Sequence, residues 1–189
     1  MSASSNQKFR IALSSDFQRP DGSLSYPMFD LAPLQNDERI EMEFVTATNG
    51  EMSGDVLKDF DALILLAPKF TRSSVVAESR LAVVARFGVG YDTVDVDACT
   101  EFGIGLAITP DGVRRPVAVS IITLMLALTS KLMVKDQLTR QGAAGFAQRS
   151  EHMGFGLIGK TLGSLGVGNI GAELFQLAAP FDLQFIAHD

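Results

Sequence analysis

The sequence predicts an α/β protein built as two units, both with parallel sheets, and three observations carry the prediction. Short apolar runs of strand length alternate with helical stretches through the first hundred residues, which is the signature of a doubly wound parallel sheet. The alternation breaks once, at Thr109 to Pro116 (TPDGVRRP), where two prolines, a glycine and paired arginines precede a long apolar helix. Beyond the break, Lys160 to Asp189 reads as strand, glycine turn, helix, strand and acid. The expected division is 1–108 for the first unit and 109–189 for the second.

Taken in order, Phe9 to Leu13 is a buried strand, followed by a polar loop to Ser25 with a turn at Pro20-Asp21-Gly22. Ile40 to Val45 alternates loosely as a second strand, and Asp55 to Phe60 is a short helical piece. Ala62 to Leu66 (ALILL) and Leu81 to Ala85 (LAVVA) are continuous apolar runs, as strands covered on both faces require. Val94 to Phe102 is helical with Gly103 as its stop, and Ile104 to Ile108 is a last short strand. Val117 to Val134 is a helix apolar all round, which predicts burial between layers. Gln141 to Gly159 is a polar, glycine-containing approach to Thr161–Leu165 (strand), Ala172 to Ala178 (helix ended by Pro180) and Leu183 to Ala187 (strand).

The chain has 189 residues, 47% hydrophobic and 20% charged, which describes a globular protein with a core. A net charge of −6 offers no basic surface for nucleic acid or for an anionic membrane. The single cysteine, Cys99, has no disulfide partner within the chain, which fits a reducing cytoplasm, and a buried inert thiol is expected there. The start, MSASSNQKFR, lacks the pattern of a secretory leader. The run Val117 to Ser130 is interrupted by Ser120, Thr123 and Thr129 and reads as too short and too polar to span a bilayer. No metal-ligating cluster is expected.

The glycine turn Gly166-Val167-Gly168-Asn169-Ile170-Gly171 assigns each glycine a task. Gly166 permits the tight exit from the strand, Gly168 lets the backbone approach a pyrophosphate, and Gly171 lets the helix pack closely on the strand. The helix start then faces the phosphates with free N–H groups and the positive end of its dipole. Asp189 lies 18 residues past Gly171 (189 − 171), near the spacing of roughly 20 expected of the carboxylate that takes the ribose hydroxyls. A dinucleotide is the ligand this pattern expects; the alternative is a glycine-rich turn in an ordinary βαβ unit with Asp189 as a solvated strand end.

A second turn, Arg86-Phe87-Gly88-Val89-Gly90-Tyr91-Asp92, follows the strand Leu81 to Ala85, where open α/β sheets bind ligands. Gly88 and Gly90 would expose backbone N–H groups able to hold a carboxylate. In order along the chain stand RFGVGYDTVDVDACTEFGI, ITPDGVRRPVAVSIITLMLAL, GKTLGSLGVGNIG and a terminal HD. With these motifs the chain resembles, from about Asp61 to Asp189, the NAD-dependent D-isomer-specific 2-hydroxyacid dehydrogenases. The resemblance implies a flavodoxin-like substrate domain, an interdomain helix after Thr109-Pro110, and the start of a Rossmann-type NAD-binding domain. It implies that Val89 and Gly90 are backbone donors to a substrate carboxylate, that Asn169 and Ile170 lie on the pyrophosphate, and that Asp189 holds the ribose.

Three positions depart from the family pattern. Val113 stands where the family often has Asn, Val119 where it has Glu, and Leu66 where members acting on phosphorylated substrates carry Arg. That last difference argues against a phosphorylated substrate, although Lys69 and Arg72 on the same loop are candidate cations. Neither His152 nor His188 matches the family's catalytic histidine, so no catalytic residue is assigned in this chain. The family's catalytic Arg, Glu and His are expected beyond Asp189, with the second domain truncated. The implied function is hydride transfer between NAD(H) and a small 2-hydroxy or 2-keto acid by a cytoplasmic homodimer. The alternatives are an NAD(H)-sensing binding protein of corepressor type and an inactive incomplete fragment.

Overall fold

The computed structural model describes residues 7–189; residues 1–6, which open the stretch read for a leader, lie outside the described residues. The chain divides into two compact units, Met1–Thr109 and Pro110–Asp189.

The first unit is built on five strands, β1 (Phe9–Ser14), β2 (Ile40–Val45), β3 (Ala62–Leu65), β4 (Val83–Arg86) and β5 (Gly105–Ala107). They are all parallel, in the order β2-β1-β3-β4-β5. This is the flavodoxin-like order, in which the winding reverses between β1 and β3 and leaves a crevice at their carboxyl ends. The side-chain period of two sorts β1 and β3 between two cores. Ala12, Leu63, Leu65 and Val84 join one, while Ile11, Leu13, Ala62 and Ile64 join the other. Both faces are therefore apolar, as the continuous runs in the sequence require.

Short helices α1 (Ala32–Gln35), α2 (Gly54–Leu57) and α3 (Val96–Phe102) connect the strands. The boundaries of α3 follow from its ends. The Asp95 side chain accepts from the Ala98 N–H at 2.9 Å, and Gly103 takes the left-handed conformation (φ 68°) that closes the helix. Cys99 is buried on its inner face. The expected helix Asp55 to Phe60 is shorter, because the chain must reach the sheet at once. The Phe60 N–H bonds Leu57 O, and the next N–H, of Asp61, bonds Arg10 O of β1.

The second unit contains α4 (Pro110–Thr129), α5 (Leu132–Arg140), α6 (Ala143–Ala147), β6 (Thr161–Leu165), α7 (Asn169–Ala178) and β7 (Gln184–His188). The expected single helix Val117 to Val134 is corrected at both ends. Pro110 starts α4 seven residues early, because proline at a helix start gives up no needed N–H and presets φ. Lys131, at φ 54°, ends it and separates α5. Expected burial is also corrected: Ala118 is the one buried residue of α4, and Leu124 and Leu128 are 63% and 76% exposed. At 20 residues α4 is long and apolar enough to cross a membrane by length and composition, so the reading of this segment as too short does not hold. An apolar helix packed within a protein meets the same criteria. Here α4 packs against α7 of its own unit, where Arg115 and Arg114 reach the mostly buried Glu173 at 2.6 and 3.5 Å.

The segment read as a polar approach contains α6 and a 3-10 turn, Arg149–His152. Gly145 of α6 abuts the end of α5 so closely that a Cβ would lie 1.9 Å from Leu138 O. Strands β6 and β7 pair in parallel, with Thr161 opposite Gln184 and Leu165 opposite His188. Helix α7 returns between them, buries Leu174 and Ala178, and stacks Phe175 on Phe185 with ring centroids 4.8 Å apart.

Candidate functional site

In the turn between β6 and α7 the backbone requires glycine at Gly166 and at Gly171. Gly166 leaves the strand at φ 89°, a left-handed conformation that side chains disfavour, while its N–H bonds His188 O at 2.7 Å. At Gly171 a Cβ would stand 2.8 Å from Gly166 O, so close packing of helix on turn excludes any side chain. Gly168 is the N-cap of α7 with extended backbone (φ −62°), and a Cβ there would meet nothing within 4 Å. Its absence of side chain is thus not required by the turn itself; it leaves space open at the helix start.

Asn169 and Ile170 are the first two residues of α7, and among the described residues their N–H groups have no acceptor. Across the turn, an Asp189 carboxylate oxygen accepts from the Val167 N–H at 3.1 Å. The acid at the end of β7 is therefore held beside the same turn that presents the free N–H groups. Two unpaired helix-start donors, an open backbone and a tethered carboxylate together fit a dinucleotide: the donors suit a pyrophosphate, and the carboxylate suits a ribose diol. Among the described residues no group of three or more His, Cys, Asp or Glu converges to hold a metal ion.

In the first unit, the segment after β4 carries the second set of donors. The Val89 and Gly90 N–H groups have no acceptor among the described residues, and both residues are exposed. Gly88, expected to offer a third donor, does not. Its N–H bonds Thr109 Oγ1 at 3.0 Å, and its carbonyl takes the Thr109 N–H at 2.9 Å. Thr109 thus fastens the turn in place, at the positive φ of 130° that Gly88 allows.

Two further side chains at the crevice were not singled out in the sequence. Buried Ser14 accepts from the Leu66 N–H at 3.0 Å, and Asp16 accepts from the Ala67 N–H at 2.9 Å. They tie the loop after β3 to the loop after β1, at the reversal of winding. The available signal was a hydroxyl and an acid directly after an apolar strand in a predicted doubly wound sheet.

Of the candidate cations, Arg72 is committed. It pairs with Glu101 through both guanidinium nitrogens and lies over the Phe102 ring, and this pairing holds the Glu101 carboxyl below its ordinary range. Hydrogen bonds from Ser73 and Thr71, with a smaller contribution from the charge of Lys69, lower the Glu51 pKa in the same way. His152 sits in the 3-10 turn after α6. His188 is exposed on β7 and takes part in the glycine turn through its carbonyl alone.

Residues 27–120 match the model of the D-isomer specific 2-hydroxyacid dehydrogenase catalytic domain, and residues 122–189 match the NAD binding domain of the same enzymes. The chain belongs to the D-isomer specific 2-hydroxyacid dehydrogenase family. The glycine turn lies within the part of the chain that matches the NAD binding domain. A D-3-phosphoglycerate dehydrogenase of Methanocaldococcus jannaschii is 35% identical over 150 residues, which cover 79% of this chain and 28% of that protein. A glyoxylate reductase of Thermococcus kodakarensis is 34% identical over 135 residues, covering 69% of this chain and 40% of that protein. Among solved structures, a 2-hydroxyacid dehydrogenase of Ketogulonicigenium vulgare superposes with a TM-score of 0.72 at 27% identity, over 97% of this chain and 55% of that one. The chain thus spans about half or less of the length of the 2-hydroxyacid dehydrogenases it resembles.

Proposed function

We propose that this chain supplies the substrate-binding unit and the first part of the cofactor unit of an NAD-dependent D-2-hydroxyacid dehydrogenase, acting on a small 2-hydroxy or 2-keto acid. The observation that carries the reading is the pair of unsatisfied donor sets. One, Val89 and Gly90, follows β4; the other, Asn169 and Ile170, opens α7 beside the tethered Asp189.

Each set has a chemical task. Backbone N–H groups that end in solvent bind a carboxylate without the entropy cost of ordering long side chains, and Val89 and Gly90 hold the substrate's carboxylate in this reading. Asn169 and Ile170 hold the pyrophosphate, with Gly166, Gly168 and Gly171 shaping the turn and Asp189 fixing the ribose. When bound, NAD(H) carries the hydride; the residues of this chain bind and orient. None of them is assigned as acid, base or electrophile.

The same reading takes the protein as a cytoplasmic homodimer without nucleic-acid or membrane partners. Apolar surface on α4 and the segment after it supports self-association: Leu132, Met133, Phe146 and Met153 are all more than half exposed. The buried, unpaired Cys99 fits a reducing compartment.

The test is to follow NADH fluorescence and absorbance with the purified chain and a panel of 2-keto acids. Saturable NADH binding with no oxidation above the buffer blank is expected. Oxidation abolished by His152→Ala or His188→Ala would place a catalytic histidine within the chain and overturn these assignments; absence of NADH binding would overturn the cofactor site.

A further inference from the structure

The paired arginines of TPDGVRRP have no task in the site described so far, yet they end on the helix that the glycine turn opens. From Thr161 to Ala178, strand β6, the turn and α7 contain no basic residue. The charged groups that this segment and β7 bring toward the turn are acids, Glu173 on α7 and Asp189 after β7. A pyrophosphate held by the Asn169 and Ile170 N–H groups would meet negative charge and no cation from these elements.

Helix α4 brings the cations. Arg115 donates from Nη1 to Glu173 Oε1 at 2.6 Å, and Arg114 Nε lies 3.5 Å from Glu173 Oε2. Glu173 is the fifth residue of α7, and helical side chains lean back toward the helix start, over the turn three and four residues earlier. Its carboxylate therefore stands over Ile170 and Asn169. The Arg115 guanidinium stands there with it, no farther along the axis from the free N–H groups than about one helical turn. Two arginines thus share one carboxylate, whose side chain is only 11% exposed. They differ in freedom. Arg114 also reaches Asp111 at 3.4 Å, and its Nε is buried. Arg115 is 63% exposed, and its other guanidinium nitrogens have no partner among the described residues.

We propose that Arg115 is a further cofactor-binding residue, which supplies the cation for the NAD pyrophosphate, and that Glu173 is the positioning residue that holds its guanidinium over the first turn of α7. The inference rests on the cofactor site proposed above and adds its counter-charge. A planar guanidinium suits this place, because one nitrogen stays on Glu173 while the others donate to phosphate oxygens. The mostly buried acid orders the long side chain before the cofactor arrives, so binding loses less side-chain entropy.

The test titrates the parent chain, Arg115→Gln and Arg115→Lys with NADH by fluorescence at low and high sodium chloride. It also follows the Arg115 Nε–H resonance of the parent with ADP-ribose and with adenosine. Arg115→Gln should weaken NADH binding about tenfold, the loss of one charge-assisted hydrogen bond, and should flatten its dependence on salt. Arg115→Lys, which keeps the charge, should recover most of the affinity. ADP-ribose should shift the Nε–H resonance, and adenosine, which lacks phosphate, should not. An unmoved resonance with ADP-ribose, or parental affinity and salt dependence in a folded Arg115→Gln chain, would overturn the inference and leave the pair as a link between two helices. Should Arg115→Gln fail to fold, the resonance in the parent decides alone. If NADH moves no amide from Gly166 to Gly171, the cofactor site itself fails and the inference with it.

Discussion

The Asp189 carboxylate accepts a hydrogen bond from the backbone N–H of Val167 at 3.1 Å, so the last residue of the chain is fastened to the middle of the glycine turn. One oxygen is used as a tether. The other has no partner among the described residues and is available to a ribose hydroxyl. In the site proposed above this arrangement fixes the position of the acid, and a fixed negative charge there would repel a 2′-phosphate.

Asp189→Asn separates those two roles. The amide oxygen still accepts from Val167, so the turn stays in place, while the charge is gone. The ratio of NADPH to NADH dissociation constants, measured by cofactor fluorescence, should fall about tenfold, equivalent to ~1.4 kcal/mol. An unchanged ratio would show that Asp189 does not select the cofactor.

Gly168 and Gly171 should fail in different ways. At Gly168 the backbone is extended and the space beyond is open, so Gly168→Val should leave thermal unfolding nearly unchanged and abolish NADH binding by filling the place of the pyrophosphate. At Gly171 the new Cβ would strike Gly166 O at 2.8 Å, so Gly171→Ala should destabilise the second unit by about 1–3 kcal/mol. Calorimetry with and without NADH distinguishes the two. A Gly168→Val chain that binds NADH as tightly as the parent would contradict the site.

Gly90→Pro removes an N–H that has no acceptor within the described chain, so the fold loses no hydrogen bond at that position. Keto-acid affinity should drop about tenfold or more, whereas Val89→Ala, which keeps the N–H, should have little effect. Retained affinity in a folded Gly90→Pro chain would move the carboxylate elsewhere.

Cys99 provides a pH-dependent check on the first unit. Burial, and secondarily the negative charge of Asp95, push its thiol pKa above the ordinary value. Because the raised pKa lowers the thiolate fraction at any given pH, native Cys99 should react with a disulfide reagent at pH 8 far more slowly than the unfolded chain does. The difference should narrow as the pH rises through the native pKa. Equal rates for native and unfolded protein would show that α3 does not bury the thiol.

Much of this was legible from residue order. The strands Ile40–Val45 and Thr161–Leu165 are where the apolar pattern puts them, and Gly103 ends α3 as read, whereas the helix starts at Val96, behind its cap Asp95, and not at Val94. The flavodoxin-like strand order came with the family resemblance. The helix after Thr109 was misjudged because Pro110, Asp111 and the paired arginines read as loop. Pro110 instead opens the helix, and the arginines find Glu173, a partner 58 residues away for Arg115. Gly88 was counted as a donor because nothing in the sequence tells that Thr109, 21 residues on, takes its N–H. For Ser14 and Asp16 the one sign was a hydroxyl and an acid after an apolar strand. Their partners, Leu66 and Ala67, become neighbours only when β1 and β3 pair.

The most direct test of the account is to map NADH onto the chain by amide chemical shifts. Titration should move the resonances of Gly166 to Gly171 together, with Asp189, and leave the first unit unmoved in the absence of a keto acid. Asp189→Asn should reduce the affinity and leave the shift pattern at Asn169 and Ile170. If NADH moved no amide in the glycine turn, or moved a different set of residues, the second unit would not be the cofactor site and the assignment of the dehydrogenase function to this chain would fall.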